Sequence, residues 1–409
     1  MASIAFSSAP AIIRLDIREI FCLDIEILSA LNVVDFSMNY VLSVNGGRKS
    51  GELGKNKAGL FYQIFAHACI IIRRTSQNTK DTIRKGEIMR SIIVTKTGGP
   101  EVLELRDAPI PDISDDLVLV RVKAAGINYL DIMQRMGLFP DGPQPPFPAG
   151  FEIAGVIEKV GANVRNWQAG DAVMGLCSGG YSDFVVTDPR GLLRKPDSVD
   201  FIQAAGIPCQ YFTAYHVLLT LGRLTSGQTV LIQAAAGGLG TVLVQVARNS
   251  GATVIGTCGT DQKVDLLRRL KCDHPVNYST QDFEEEVRRI TGGCGCDLVI
   301  ESVGGQIFDK SLRCIKTRGH MISVGAASGE PGSVCVLGNC ITVSGFNLMV
   351  YLPDEPAMAN AYRDLLRWLA EDTLEIVVNH VLPLERAAEA QQLIAERKTT
   401  GKVVLRVDD

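Results

Sequence analysis

Between residues 229 and 258 the hydrophobic positions change period twice. Thr229 to Gln233 is a continuous run of apolar and β-branched residues, the pattern of a short strand buried on both faces. Small residues follow from Ala234 to Gly240, and Thr241-Val-Leu-Val-Gln-Val-Ala-Arg then takes up helical spacing. Thr253-Val-Ile-Gly returns to strand. The stretch predicts a strand–turn–helix–strand unit, and the same alternation continues downstream. Helices are expected over 263–270, 283–290 and 307–315, with strands over 275–278, 297–300, 320–324 and 341–345. Six parallel strands with interleaved helices make a doubly wound sheet. Upstream, from Met89, short alternating runs between Gly, Pro and Asp turns predict strands over 92–95, 103–105, 117–122, 153–160 and 172–174, a small antiparallel barrel closing near Pro208. Phe212-Thr-Ala-Tyr-His begins helical spacing that leads into the parallel sheet. Beyond residue 346 helices are expected over 357–369 and 386–396. A last strand, 402–407, is expected to return to the first barrel.

Residues 1–88 lack this order. Apolar and acidic residues mix there without sustained period, and the apolar run from Leu60 to Ile72 is too short to span a bilayer. Asp16 and Glu19 argue against a mitochondrial presequence. Two readings stand: a poorly ordered extension, or sequence upstream of a start at Met89, which we favour because Met89 opens a clean strand. The expected division is therefore 1–88 as an unmatched segment, 89–208 as the barrel, 209–346 as the parallel-sheet domain and 347–409 as the return.

Composition changes this picture little. With 46% hydrophobic and 21% charged residues, the 409-residue chain can bury a large core. A net charge of -4 gives no reason to expect nucleic acid as a partner. The 11 cysteines are scattered, which points to reduced thiols. Only Cys294 and Cys296 lie close, and a C-x-C without a second pair reads as a surface turn rather than a zinc site.

The chemistry is concentrated in the small-residue turn. Ala235, Gly237 and Gly240 fall on the G-x-G-x-x-G template, with Gly238 added. Between a strand and a helix, such a turn lets backbone N–H groups approach a pyrophosphate at the helix N-terminus. The end of the second strand, Thr257 and Cys258, lacks the carboxylate that binds the ribose 2′-hydroxyl in NAD-specific folds.

Several motifs carry a resemblance. Gly98-Gly-Pro-Glu-Val-Leu, Gly126-Ile-Asn-Tyr-Leu-Asp, Phe212-Thr-Ala-Tyr, Ala234-Ala-Ala-Gly-Gly-Leu-Gly and Thr400-Gly-Lys-Val-Val-Leu resemble zeta-crystallin-type NADPH:quinone oxidoreductases. These are zinc-independent medium-chain dehydrogenase/reductases, with a GroES-like β-barrel domain and a Rossmann domain. Val254-Ile-Gly-Thr-Cys, Asp273-His-Pro-Val-Asn-Tyr, Glu301-Ser-Val-Gly-Gly and Val343-Ser-Gly-Phe-Asn-Leu are further similar to oxoprostaglandin 13-reductases. The resemblance covers Met89 to the C-terminus.

It implies a site. Asn128 stands where zinc-dependent relatives place their first Cys ligand, and Phe151 replaces the His before Glu152. With Cys209 alone, no set of three protein ligands remains, so no metal is expected. The resemblance places Asn128, Tyr129 and Tyr215 by the nicotinamide and substrate, with Asn128 as a donor to the substrate carbonyl. For the cofactor, NADPH, it implies Ala235, Gly237, Gly238, Leu239, Gly240, Gly259, Lys263, Tyr278, Ser302, Gly325, Ala326, Phe346, Leu348 and Lys402. Lys263 and Tyr278 would bracket the 2′-phosphate.

The expected activity is NADPH-dependent reduction of quinones or α,β-unsaturated ketones. A lipid-directed 13-reductase and a cofactor-binding crystallin or trafficking-type protein are the alternatives. Phe139, Phe147, Phe151, Phe346, Leu348 and Met349 suit a flat, hydrophobic conjugated carbonyl compound. A homodimer through 341–345 is implied by the family. No membrane span is expected. The expected location is cytoplasmic, with mitochondrial and peroxisomal locations left open.

Overall fold

A computed structural model describes residues 88–139, 142–330, 332–333 and 340–407. The expectations for residues 1–87 lie outside these.

The β-rich half begins with β1 (Ile88–Val94) and β2 (Leu103–Pro109), an antiparallel pair. β3 (Val118–Ile127) leads into helix α1 (Tyr129–Arg135), which the apolar pattern did not announce. The signal is the capping-box pair Asn128 and Asp131: the Asp131 carboxylate accepts from the Asn128 N–H (2.8 Å) at the helix start. β4 (Phe147–Pro148), β5 (Glu152–Val160), β6 (Ala172–Leu176), β7 (Phe184–Thr187) and β8 (Leu192–Arg194) follow. The expected barrel is built from two sheets. One has the order β2–β1–β4. The other contains β3, β5, β6 and β8 in that order, with β7 also paired to β3. Val120, Val122, Ile153, Ile157 and Val173 fill the space between them.

Two helices, α2 (Phe201–Ala204) and α3 (Pro208–Tyr215), carry the chain across, and a π-helical turn runs on from His216 to Leu221. The second half is β9 (Thr229–Ile232), α4 (Gly238–Asn249), β10 (Thr253–Cys258), α5 (Asp261–Arg269), β11 (His274–Asn277), α6 (Phe283–Ile290), β12 (Cys296–Glu301), α7 (Gly305–Arg313), β13 (Ile315–Ser323) and β14 (Thr342–Gly345). Its sheet has the order β11–β10–β9–β12–β13–β14, parallel throughout. Successive residues of each central strand alternate between its two faces. Val230, Ile232, Val254 and Ile300 join one core, whereas Leu231, Ile255, Val299 and Met321 join the other. Both faces are covered by helices, which is why these strands read as unbroken apolar runs. Full burial of each such side chain stabilises the fold by about 1.5–3 kcal/mol. Cys294 is exposed, as a surface turn predicts, but Cys296 opens β12 and is buried there.

The last segment supplies α8 (Glu355–Ala370), β15 (Val378–Pro383), α9 (Ala387–Ala395) and β16 (Lys402–Arg406). β16 returns to the first half and pairs antiparallel with β3, with Val403 opposite Ile127. β15 adds alongside β16 in parallel. No helix among the described residues is long and apolar enough to cross a membrane.

Gly240 shows how tightly β9 and α4 pack. A Cβ there would lie 2.3 Å from the Ala234 carbonyl oxygen and 2.5 Å from the Ala235 carbonyl carbon, and backbone cannot step aside cheaply. At Gly237 the nearest atom would be 3.4 Å away, and the backbone is ordinary extended (φ -81°). Gly240→Ala should therefore cost on the order of 1–3 kcal/mol in denaturant unfolding, whereas Gly237→Ala should stay within about 0.5 kcal/mol of the parent. Equal stability of the two variants would contradict this packing.

Candidate functional site

In an open parallel sheet, ligands settle beyond the carboxyl ends of the strands, where the chain order reverses. Here the reversal lies between β9 and β12. Each strand end leads into a residue expected at the cofactor. β9 runs into the turn with Ala235, Gly237, Gly238, Leu239 and Gly240, and β10 into Gly259 and then Lys263. β11 runs into Tyr278, β12 into Ser302, β13 into Gly325 and Ala326, and β14 into Phe346 and Leu348.

The glycine turn is anchored from both sides. The Ala235 N–H donates to the Thr257 carbonyl (2.9 Å) on β10, and the Gly401 N–H donates to the Ala236 carbonyl (2.9 Å). Ala234 takes a left-handed conformation (φ 52°) to make the bend. α4 then starts at Gly238, and the first N–H groups of a helix have no partner within it. This arrangement suits an anion.

At the end of β10, Thr257 is buried and its hydroxyl donates to Gln233 (2.6 Å). Asp261, the nearest acid, accepts from the Asn277 side chain (2.7 Å). Lys263 donates its ammonium to the Arg397 carbonyl (2.8 Å), and burial, followed by the neighbouring Arg397 charge, holds its pKa below the ordinary lysine value. The Tyr278 ring lies over Gly259, where a Cβ would come within 2.6 Å of the phenol oxygen. Lys263, Tyr278 and Arg397 thus border one corner of the sheet edge. The sequence reading missed Arg397, because only the docking of the return segment brings it there.

The Ser302 carbonyl accepts from the Ala327 N–H (3.0 Å), which ties the turns after β12 and β13 together. The Tyr129 hydroxyl donates to the Ala327 carbonyl (2.8 Å), so α1 of the β-rich half reaches the same edge. Phe346 stacks on Tyr351, centroids 5.3 Å apart, and Leu348 is buried in the core. Phe147, one of the apolar residues expected to suit the substrate, packs into the core of the β-rich half. The Tyr215 hydroxyl donates to Asp364 (2.9 Å) on α8, and burial pushes its pKa up to about 12.

Asn128 lies in a buried polar cluster, and strand register explains the cluster. Val403 faces Ile127 and Gly126 faces Glu152, so Lys402, Asn128 and Glu152 meet where β16, β3 and β5 meet. α3 adds Gln210. The Lys402 ammonium donates to Asn128 Oδ1 (2.9 Å), Glu152 Oε2 (2.7 Å) and Gln210 Oε1 (2.7 Å). Gln210 Nε2 also donates to Asn128 Oδ1 (2.7 Å), and Asn128 Nδ2 donates to Glu152 (3.1 Å). The other oxygen of Glu152 accepts from the Cys209 N–H (2.6 Å). Asn128 is 4% exposed and Lys402 3%. Lys402, expected at the cofactor, therefore places its stem against Gly238 but its charge inside this cluster. The Asn128 carboxamide, expected as a free donor to substrate, has both ends engaged within the protein.

Asp131 extends the cluster. Its Oδ2 accepts from the Asn128 N–H (2.8 Å) and the Tyr181 hydroxyl (2.8 Å), while Oδ1 has no partner. Burial raises its pKa to about 6. Zinc does not fit these residues. Among the described residues no three His, Cys, Asp or Glu side chains gather to hold a metal ion, and burial pushes the Cys209 thiol up to about 12.

Residues 114–197 match the family model described as alcohol dehydrogenase GroES-like domain, and residues 238–371 match the one described as zinc-binding dehydrogenase. The quinone oxidoreductase of Pseudomonas aeruginosa is 36% identical over 317 residues, 75% of this chain and 96% of the relative. A 2-haloacrylate reductase from Burkholderia sp is 33% identical over 330 residues, 78% of this chain and 99% of the relative. The chain belongs to the medium-chain dehydrogenase/reductase family. Among solved structures of that family, Escherichia coli quinone oxidoreductase complexed with NADPH superposes with a TM-score of 0.74 at 31% identity. That match covers 78% of this chain and 99% of the other. The model named for zinc covers residues 238–371, a stretch that includes none of Asn128, Phe151, Glu152 and Cys209.

Asp131 offers a test of the cluster. Its folded pKa of about 6 lies above the ordinary 3.8, so the folded state binds more protons between these values. Its contribution to stability is full below the lower value and is lost as pH rises through the upper one. Asp131→Asn keeps one oxygen for both donors and cannot titrate. Relative to that variant, the parent should lose on the order of 2–3 kcal/mol of unfolding free energy between pH 4 and pH 6.5. Parallel pH profiles would show that Asp131 ionises normally.

Proposed function

We propose that this chain is an NADPH-dependent, metal-independent reductase of quinones or α,β-unsaturated ketones. The observation that carries the reading is the corner at the end of β10. No carboxylate stands where it would bind a ribose hydroxyl, and Lys263, Tyr278 and Arg397 border the same place. A lysine charge and a phenol donor suit a phosphate dianion. The NADPH in the E. coli relative's crystal structure supports the same cofactor.

The sheet edge would hold NADPH, which when bound would supply a hydride from its nicotinamide. The glycine turn, with Ala235, Gly237, Gly238, Leu239 and Gly240, would take the pyrophosphate. Lys263 and Tyr278, beside Gly259, would take the 2′-phosphate, and Arg397 joins them. Ser302, Gly325, Ala326, Phe346 and Leu348 would line the nicotinamide side. Tyr129 bridges from the β-rich half to the Ala327 carbonyl on that side. Asn128 and its partners would set the shape and charge of the pocket floor, and Tyr215 would pack behind it. Reduction of a conjugated carbonyl spreads the arriving charge onto oxygen, where hydrogen-bond donors stabilise it without a metal. Simple alcohols have no such relief. The reading also carries a homodimer through β14, the strand at the edge of the six-stranded sheet.

Purified protein should consume NADPH with quinones and α,β-unsaturated ketones and leave ethanol untouched. Including 15-oxoprostaglandin-like lipids in the panel separates a lipid reductase, and no turnover of any acceptor would favour a binding protein. Lys263→Ala should weaken NADPH binding roughly ten- to a hundredfold, the loss of about 1.5–3 kcal/mol from one charge-assisted contact. NADH binding should hardly change. Equal weakening of both cofactors would refute the phosphate assignment.

A further inference from the structure

The Lys402 ammonium has three N–H donors, and the structure offers them three acceptor oxygens: Asn128 Oδ1 (2.9 Å), Glu152 Oε2 (2.7 Å) and Gln210 Oε1 (2.7 Å). All four side chains are nearly fully buried. Room for this has been made. A Cβ on Gly126 would lie 2.1 Å from the Ala205 carbonyl oxygen, 2.5 Å from Glu152 Oε2 and 2.9 Å from Lys402 Cε, so glycine leaves room both for the Ala205 backbone and for the two side chains over β3. We propose that Lys402 is the built-in cation of this buried cluster, a positioning residue that stands in place of a metal ion and locks the Asn128 carboxamide in one orientation. This deepens the reductase reading and rests on it for its kinetic consequence.

The argument turns on hydrogen-bond polarity. Asn128 Oδ1 receives both the ammonium and Gln210 Nε2, so a flipped amide would push two N–H donors against NH2. The lock therefore keeps Nδ2 on the Glu152 side. A buried charge pair of this kind holds only when the remaining hydrogen-bonding positions are filled. Glu152 meets that condition through the Cys209 N–H. Lys402 also spans two parts of the site. Gly401 bonds to Ala236 in the glycine turn, and a Cβ on Gly238 would lie 3.6 Å from the Lys402 Cα and Cδ. One residue thus joins the anion-binding turn to the Asn128 group, which begins α1 and leads into Tyr129.

Two experiments test the proposal. Lys402→Met with Glu152→Gln removes both charges of the pair and keeps near-equal side-chain volumes, so neither partner is left as a buried ion without the other. This double variant should fold, bind NADPH within about twofold of the parent and lose roughly tenfold or more in kcat, the pattern of a group acting on the transition state. A parent-like kcat would make the pair merely structural and overturn the proposal. The second experiment needs no turnover, so it stands even if the reductase reading fails. Lys402→Ala leaves three oxygens around an empty cation position. Propylammonium chloride should raise its melting temperature clearly more than equimolar 1-propanol with matched potassium chloride, and should do neither for the parent. Equal effects of amine and alcohol would mean that only a cavity is being filled, and would contradict the cation role. If Lys402→Ala does not fold alone, the same comparison is read as soluble protein recovered on refolding in amine or in alcohol.

Discussion

Placing an ammonium and a carboxylate in a protein interior is costly unless their attraction is matched by hydrogen bonds to every remaining donor and acceptor. The Lys402–Glu152 pair meets that condition by drawing on four elements: β16, β5, the end of β3 and helix α3. The rest of the site follows from this demand. Strand register must place Lys402 opposite Asn128, Gly126 must stay without a side chain, and the C-terminal segment must cross back from the parallel-sheet half. Removing either charge alone leaves the other buried and unpaired, so the three strands and α3 are bound to one another by electrostatics as well as packing.

The parallel sheet provides the second constraint. Its strands are buried on both faces and end at one edge, where backbone groups that no longer pair are free for a ligand. The turn after β9 is held between β10 and the start of β16, through Thr257 on one side and Gly401 on the other. The anion-binding turn and the Asn128 cluster are therefore neighbours through Gly401 and Lys402, residues adjacent in the chain. The glycine turn and the Asn128 cluster, which we propose serve the two ends of the site, are thus joined through consecutive residues of the chain.

How much of this was legible in the sequence depended on burial. Central strands with two buried faces produce unbroken apolar runs, and amphipathic helices such as α6, from Phe283 to Ile290, keep their period to the end. Other elements were harder to read: β7 (Phe-Val-Val-Thr) and β8 (Leu-Leu-Arg) are too short to show a period, β15 mixes polar and apolar residues, and α1 carried only the Asn128–Asp131 pair at its start. The glycine turn was readable because the close packing of β9 on α4 constrains consecutive residues, Gly240 among them. The cluster was not, because Asn128, Glu152, Gln210 and Lys402 lie far apart in the chain and meet only through the register of β3, β5 and β16. Lys402 was assigned to the cofactor on local motif alone, and its stem does lie by the turn. Its charge, however, answers to Glu152, which no local pattern marks. Arg397 escaped for the same reason, since its place depends on where α9 docks.

We propose that hydride passes directly from NADPH at this sheet edge to a conjugated carbon, with the protein supplying charge and geometry in place of a metal. Following the label answers this most directly. NADPH carrying deuterium at the transferring C4 position should be reacted with an α,β-unsaturated ketone by the full chain, and the product read by mass spectrometry and NMR. The account predicts one deuterium per product molecule, at the β-carbon, from only one of the two C4 epimers and without dependence on added zinc or chelator. Deuterium appearing in solvent, or spread over both faces of the cofactor, would contradict direct transfer at a single ordered site.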